Sequence, residues 1–152
     1  SESSDAANQS IEKSRRGTQA AQKNLQAAGT LRRQTQEAAK RIERLKERSQ
    51  EISRIAKSID DLARRASMLA LNASVQANES NDAAGATATT PAAAGRSFMV
   101  ISEEVGRLAE RASLTNKHIS SLNQTLQSEI GEAEVSLGAA IGEAANLSKL
   151  AI

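Results

Sequence analysis

The chain has 152 residues, a formal charge of +2, one Phe, no Trp or Tyr, and no Cys. Without cysteine there is no disulfide scaffold and no thiolate metal site. Without large aromatic side chains, which dominate compact cores because each buries a large area, the alanine and medium aliphatics suit thin elements packed closely along their length.

Residues up to about 9 read as a frayed start. From Ile11 to Glu79 there is no proline, and good helix formers fill the sequence around Gly17 and Gly29. The pattern is weak through Ile11, Thr18, Ala21, Leu25 and Ala28. It becomes clear as a stripe of Ile42, Leu45, Ile52, Ile55, Ile59, Leu62, Ala66, Leu69 and Ala73 at spacings of three and four, with Ala56, Ala63 and Ala70 beside it. A stripe widened in this way suits a helix in a multi-helix bundle better than a two-stranded seam. The first helix is expected over about 9–80.

Residues 81–95 break the pattern. Gly85 and Pro91 are the only strong punctuation in the middle of the chain, and the Ala/Thr content predicts a surface loop. Proline disfavours helix at Thr90 and is itself comfortable as a first helical residue with Thr90 as its cap. The second helix therefore starts either at Pro91 or after Gly95. It is taken as 96–150, on the pattern Phe98, Ile101, Val105, Leu108, Ala112, Thr115, Ile119, Leu122 and Leu126, continuing through Ile130, Ala133, Leu137, Ala140, Ala144, Leu147 and Ala151. The step from Leu126 to Ile130 to Ala133 shifts the phase, as in a stutter.

Two long helices and one loop predict an all-α fold, a long antiparallel coiled-coil hairpin, with arms on the order of 80–100 Å at about 1.5 Å per residue. Two helices cannot cover both flanks of a widened stripe, so a homodimer of hairpins in a four-helix bundle is expected. Residues 1–80 carry 15 Lys/Arg against 10 Asp/Glu, and residues 95–152 carry 5 against 7. That charge polarity weakly favours the arms lying side by side.

No apolar run approaches the roughly 20 residues of a membrane span, and there is no signal-peptide pattern. A chain that begins at Ser1 is expected to be a piece of something longer, in which any membrane anchor lies elsewhere.

Chemistry finds little support. His118 is the only histidine, which leaves no Ser-His pair or His-based metal cluster, and an exposed surface histidine is the simpler reading. Glu103 and Glu104 are adjacent and point to different helix faces, a poor arrangement for acid/base work. The loop lacks the spacing of a phosphate-binding loop. Lys40, Arg41, Arg44, Lys46 and Arg48 are interleaved with Glu37, Glu43, Glu47 and Glu51, as on a solvated bundle face. With no aromatics for base stacking, nucleic-acid binding is not expected. Neither catalysis nor a cofactor or metal is expected.

A protein–protein surface remains. Met68-Leu69-Ala70-Leu71-Asn72-Ala73-Ser74-Val75 and, across the loop, Phe98-Met99-Val100-Ile101 are apolar on more than one face. A well-packed bundle end would account for this, but contacts with further molecules account for it better.

Residues Ala66-Ser67-Met68-Leu69-Ala70-Leu71-Asn72-Ala73-Ser74-Val75-Gln76-Ala77 and Gly95-Arg96-Ser97-Phe98-Met99-Val100-Ile101-Ser102-Glu103-Glu104-Val105-Gly106-Arg107-Leu108-Ala109-Glu110-Arg111-Ala112 resemble the signalling tip of methyl-accepting chemotaxis proteins. The two halves match in order and on the correct sides of the turn. The resemblance implies a cytoplasmic four-helix dimer whose tip binds a CheW-type coupling protein and a CheA-type histidine kinase, with tips packed into trimers of dimers. It places Met68, Leu69, Asn72, Gln76, Phe98 and Val100 at or near the trimer contact. It places Arg96, Ser97, Phe98 and Val100 near the coupling-protein and kinase face, with Glu104 in the same tip. Gly29 and Gly142 match the family's bundle-softening glycines, and Gly17, Gly131 and Gly138 add to them.

The chain departs from the family pattern at Gln76, where the family has glutamate, at Glu79, where it has arginine, at Gly106, again for arginine, and in an insertion within 81–94. Gln76 is similar to receptors of pilus-motility chemosensory systems. Gln36-Glu37 fits half of a methyl-acceptor pattern, and no methylated residue is assigned. Against the signalling reading stands a non-signalling coiled-coil scaffold that keeps the receptor fold.

Overall fold

The structure is a computed structural model and describes residues 2–83 and 91–150, with side chains described over 4–79 and 94–149. All the described residues lie in two helices, α1 (Glu2–Ala83) and α2 (Pro91–Leu150). The helices pack against each other as an all-α hairpin.

The helices run further than 9–80 and 96–150. α1 already begins at Glu2. Residues 81–83 of the expected 81–95 loop belong to α1 and 91–95 to α2. In α2 the alanines at 92–94 continue a helix at little cost, and Pro91 takes the first helical position, where a missing N–H leaves nothing unpaired. The expected cap Thr90 and the rest of 84–90 lie outside the described residues.

Local pairs support the helices. Arg16 bonds Glu12 at 2.6 Å and Arg64 bonds Asp60 at 2.8 Å, both four residues apart. Hydroxyls fold back on the preceding turn, as Thr115 does onto the Arg111 carbonyl. This satisfies a hydroxyl without a partner from another element. It lets Thr35, bonded to the Arg32 carbonyl, and Ser102, bonded to the Met99 carbonyl, sit buried.

The chain forms two compact units. One comprises Arg48–Gln127, the ends of both helices next to the turn. Its buried residues repeat every seven: Ser49, Ala56, Ala63, Ala70 and Ala77 on α1, and Ser102, Ala109, Asn116 and Asn123 on α2. This line of small residues is the hairpin seam. The large aliphatic stripe lies to one side of it. Ile52, Ile59, Ala66 and Ala73 are half-buried beside the seam, while Ile55, Leu62 and Leu69 are exposed. On α2, Val105, Ala112, Ile119 and Leu126 are half-buried, and Phe98, Ile101, Leu108 and Leu122 are exposed. The cause is steric: methyl groups let two backbones approach closely, whereas facing leucines hold them apart.

The other flank is polar. Ser113 reaches Asp60 at 3.5 Å and Gln127 reaches Ser53 at 3.4 Å across the seam. A shallow groove continues towards the turn between Arg64 and Ser67 on α1 and Glu103 and Glu110 on α2. This unit therefore has one broad apolar face and one polar face.

The second unit joins Ser1–Glu47 to Ser128–Ile152. Ala28 and Thr35 on α1 and Ile130 and Ala144 on α2 are buried, again at multiples of seven. Lys46 and Glu134 pair across it at 3.0 Å. The hydrogen bond to Glu134 holds the Lys46 ammonium above its ordinary range. From Ser4 to Ala20 every side chain is exposed.

Candidate protein-interaction site

The segment Met68–Val75 shows how one helix divides its surface. Ala70 enters the seam, Ala73 and Ser74 are half-buried, and Met68, Leu69, Leu71 and Val75 are left outside, Leu69 with 68% of its surface exposed. Across the turn Met99 is half-buried, and Phe98, Val100 and Ile101 are exposed, Val100 at 65%. Large apolar groups thus stand on several outer sides of both helices, an exposure of the kind that marks an interaction site.

The sequence-derived residues are all exposed, yet they do not form one patch. Their places follow from their steps to the seam. On α1, Leu69 and Gln76 continue the line of Leu62 and so belong to the broad apolar face. Asn72 faces away from α2, and Met68 lies on the far edge of that arc, towards the polar flank. On α2, Phe98 precedes Val105 by seven residues and joins the apolar face. Ser97 and Glu104 share one outward line, Val100 stands beside it, and Arg96 borders the polar flank with Glu103. The structure thus brings Leu69, Gln76 and Phe98 together on one face. It sets Met68, Arg96 and Val100 towards the other side.

Electrostatics at this end are local. Arg107 bonds Glu104 through two nitrogens, the shortest contact being 2.6 Å. The hydrogen bond from Arg107 holds the Glu104 carboxyl below its ordinary range. Glu104 is therefore already engaged, and an incoming cation must compete with Arg107 for it.

Gly29 and Gly142 lie in the second unit, where an added Cβ would meet nothing within 4 Å. Packing does not require glycine at either position. Gly106 differs, since a Cβ there would stand 3.6 Å from the Ala70 methyl, in ordinary contact. It forms part of the floor of the polar groove near the turn.

Sequence reasoning missed a buried polar cluster. Ser49 Oγ donates to Asn123 Oδ1 at 2.8 Å, and Asn123 Nδ2 donates to the Ser49 carbonyl at 2.9 Å and to Ser53 Oγ at 2.8 Å. One heptad nearer the turn, Asn116 Nδ2 donates to the Ala56 carbonyl at 2.6 Å, while Asn116 Oδ1 is buried without a partner. The seven-residue spacing of these asparagines with Ala109 and Ser102 was the available signal. Among the described residues no group of acidic, histidine or cysteine side chains could hold a metal ion, and no helix is long and apolar enough to cross a membrane.

Residues 4–151 match the methyl-accepting chemotaxis protein (MCP) signalling domain. Over 87 residues, 57% of the chain, it is 37% identical to Protein PilJ of Pseudomonas aeruginosa. Over a stretch of the same length it is 36% identical to Putative methyl-accepting chemotaxis AlkN of Alcanivorax borkumensis. Each match spans 11% of the relative's own length, so the chain corresponds to a small part of those proteins. With the two-helix hairpin, the apolar end beside the turn and a match over nearly its whole length, the chain belongs to the methyl-accepting chemotaxis protein signalling-domain family.

Proposed function

We propose that this chain is the kinase-control hairpin of a chemoreceptor. Two copies pair through the broad apolar face into a four-helix bundle, and the end beside the turn docks a CheW-type coupling protein and a CheA-type histidine kinase. The hairpin has no catalytic role of its own. It works on the cytoplasmic side, attached to a membrane only through parts outside this chain, and its tips gather as trimers of dimers. A change in packing and dynamics along the bundle reaches the tip and alters the geometry of the kinase held there.

The observation that carries this reading is the exposure of Met68, Leu69, Leu71, Phe98, Val100 and Ile101 at the end beside the turn. The apolar face accounts for Leu69, Phe98 and Ile101 through dimer contact. Met68, Leu71 and Val100 lie elsewhere and call for a different partner. The departures at Gln76, Glu79 and Gly106 favour the second reading, a scaffold that keeps the receptor fold without coupling to a kinase.

Capture of the cognate coupling protein and kinase on the immobilised dimer separates the two. Signalling predicts micromolar or tighter binding, weakened at least about tenfold by Val100→Glu while the dimer persists, as expected for a charge placed in an apolar contact. No binding by an intact dimer leaves the scaffold.

A further inference from the structure

The seam of the Arg48–Gln127 unit is nearly degenerate in register. Ala56, Ala63, Ala70 and Ala77 follow one another at steps of seven on α1 and face Ala109, Ser102 and other small groups on α2. Sliding one helix past the other by a heptad, about 10 Å at about 1.5 Å per residue, would again set small residues against small residues.

The Ser49–Asn123 pair lacks this degeneracy. Ser49 is 1% exposed and Asn123 6%. Asn123 uses both its amide hydrogens and its oxygen on Ser49 and Ser53. One heptad towards the turn Asn123 would meet Ala56, which has no hydroxyl to give its oxygen. One heptad the other way it would meet the level of Ile42, which has no polar side-chain group at all. Asn116 discriminates less, because it uses only a backbone carbonyl and every residue of α1 offers one.

We propose that Ser49 and Asn123 form a register lock. They are positioning residues that determine which residues of α2 stand level with which residues of α1 at the end beside the turn. A polar pair buried in a seam of small groups fixes alignment because one heptad either way the Asn123 oxygen loses its hydroxyl donor. The bearing of the lock on docking rests on the proposed function, since it is the lock that holds Met68 and Val100 at their relative heights.

The chain has no cysteine, so register can be read by paired cysteines and a short thiol cross-linker, with links inside one chain separated from links between chains on a denaturing gel. Ala63→Cys with Ala109→Cys reports the observed register. Ala70→Cys with Ala109→Cys reports the register that brings Asn123 level with Ala56. The parent sequence should link only through the first pair. Ser49→Ala with Asn123→Ala should raise the displaced link relative to the native one by about tenfold per hydrogen bond lost. Moving the hydroxyl, Ser49→Ala with Ala56→Ser, in a chain that also carries Asn116→Ala so that Asn116 cannot take the new hydroxyl in the native register, should make the displaced link the main product, whereas Ser49→Thr should keep the native one.

Native links alone in both altered chains, with helicity retained, overturn the lock. Should the chain without the pair lose its helicity, the chain with the moved hydroxyl decides: a displaced link supports the lock, and a native link or an unfolded chain overturns it. Binding of the coupling protein is measured separately. A parent dimer that binds nothing removes the docking role while the register result stands. A displaced register that binds as well as the parent shows that the lock does not position the tip.

Discussion

At the scale of single residues, the two buried asparagines do different work despite similar burial. Asn123 makes three hydrogen bonds and satisfies the hydroxyl of Ser49, whereas Asn116 makes one and leaves its oxygen unpaired. Removing Asn123 gives up three bonds across the seam. Removing Asn116 gives up one bond but also removes an unsatisfied acceptor. Asn123→Ala is therefore expected to cost about 2–3 kcal/mol and Asn116→Ala less than about 1 kcal/mol. Denaturant unfolding measures both, and equal costs would contradict the hydrogen-bond count.

At the scale of elements, the close contact between the helices depends on side-chain size rather than on hydrophobicity. A buried methyl group contributes about 0.8 kcal/mol, and a fully buried leucine about 1.5–3 kcal/mol. The seam uses the smaller groups because only they permit the approach. Ala63→Leu inserts a larger side chain where the helices meet and is expected to destabilise by about 1–3 kcal/mol in thermal unfolding, in spite of its greater hydrophobicity. Ala63→Ser matches what Ser102 and Ser49 already place in the same seam, and should cost less than about 1 kcal/mol. A stabilising Ala63→Leu would show that the helices stand further apart than described. At the helix ends, α1 runs on through Asn81 and Asp82 to Ala83, and Pro91 opens α2.

At the scale of the whole molecule, many large apolar side chains among the described residues are left outside the hairpin. Ile55, Leu62, Leu108 and Leu122 are each more than half exposed and stand on the apolar side of the seam. A second hairpin set against this face would bury them. Leu62→Glu with Leu122→Glu is expected to weaken self-association at least about a hundredfold, because four like charges would enter the apolar contact of the proposed dimer. Sedimentation checks it. Lys117→Glu on the polar flank should leave association unchanged, and equal weakening by both changes would put the dimer contact elsewhere.

Periodicity made the two helices and their hairpin legible, because a pattern at steps of three and four follows directly from helix geometry. The residues on either side of the turn made the family legible, since their order and spacing are specific. The sequence by itself therefore determined the helices, the hairpin and the kind of protein. It did not determine which apolar line closes the hairpin. Large and small lines run side by side along α1, and periodicity alone cannot rank them. That was decided only in the tertiary structure, where close approach of two backbones admits Ala56, Ala63 and Ala70 to the seam and leaves Leu62 and Leu69 outside. The same packing decided that Leu69 and Phe98 share a face that Val100 does not, and that Asn123 meets Ser49, a contact made between residues far apart in the chain by two helices that align in one register.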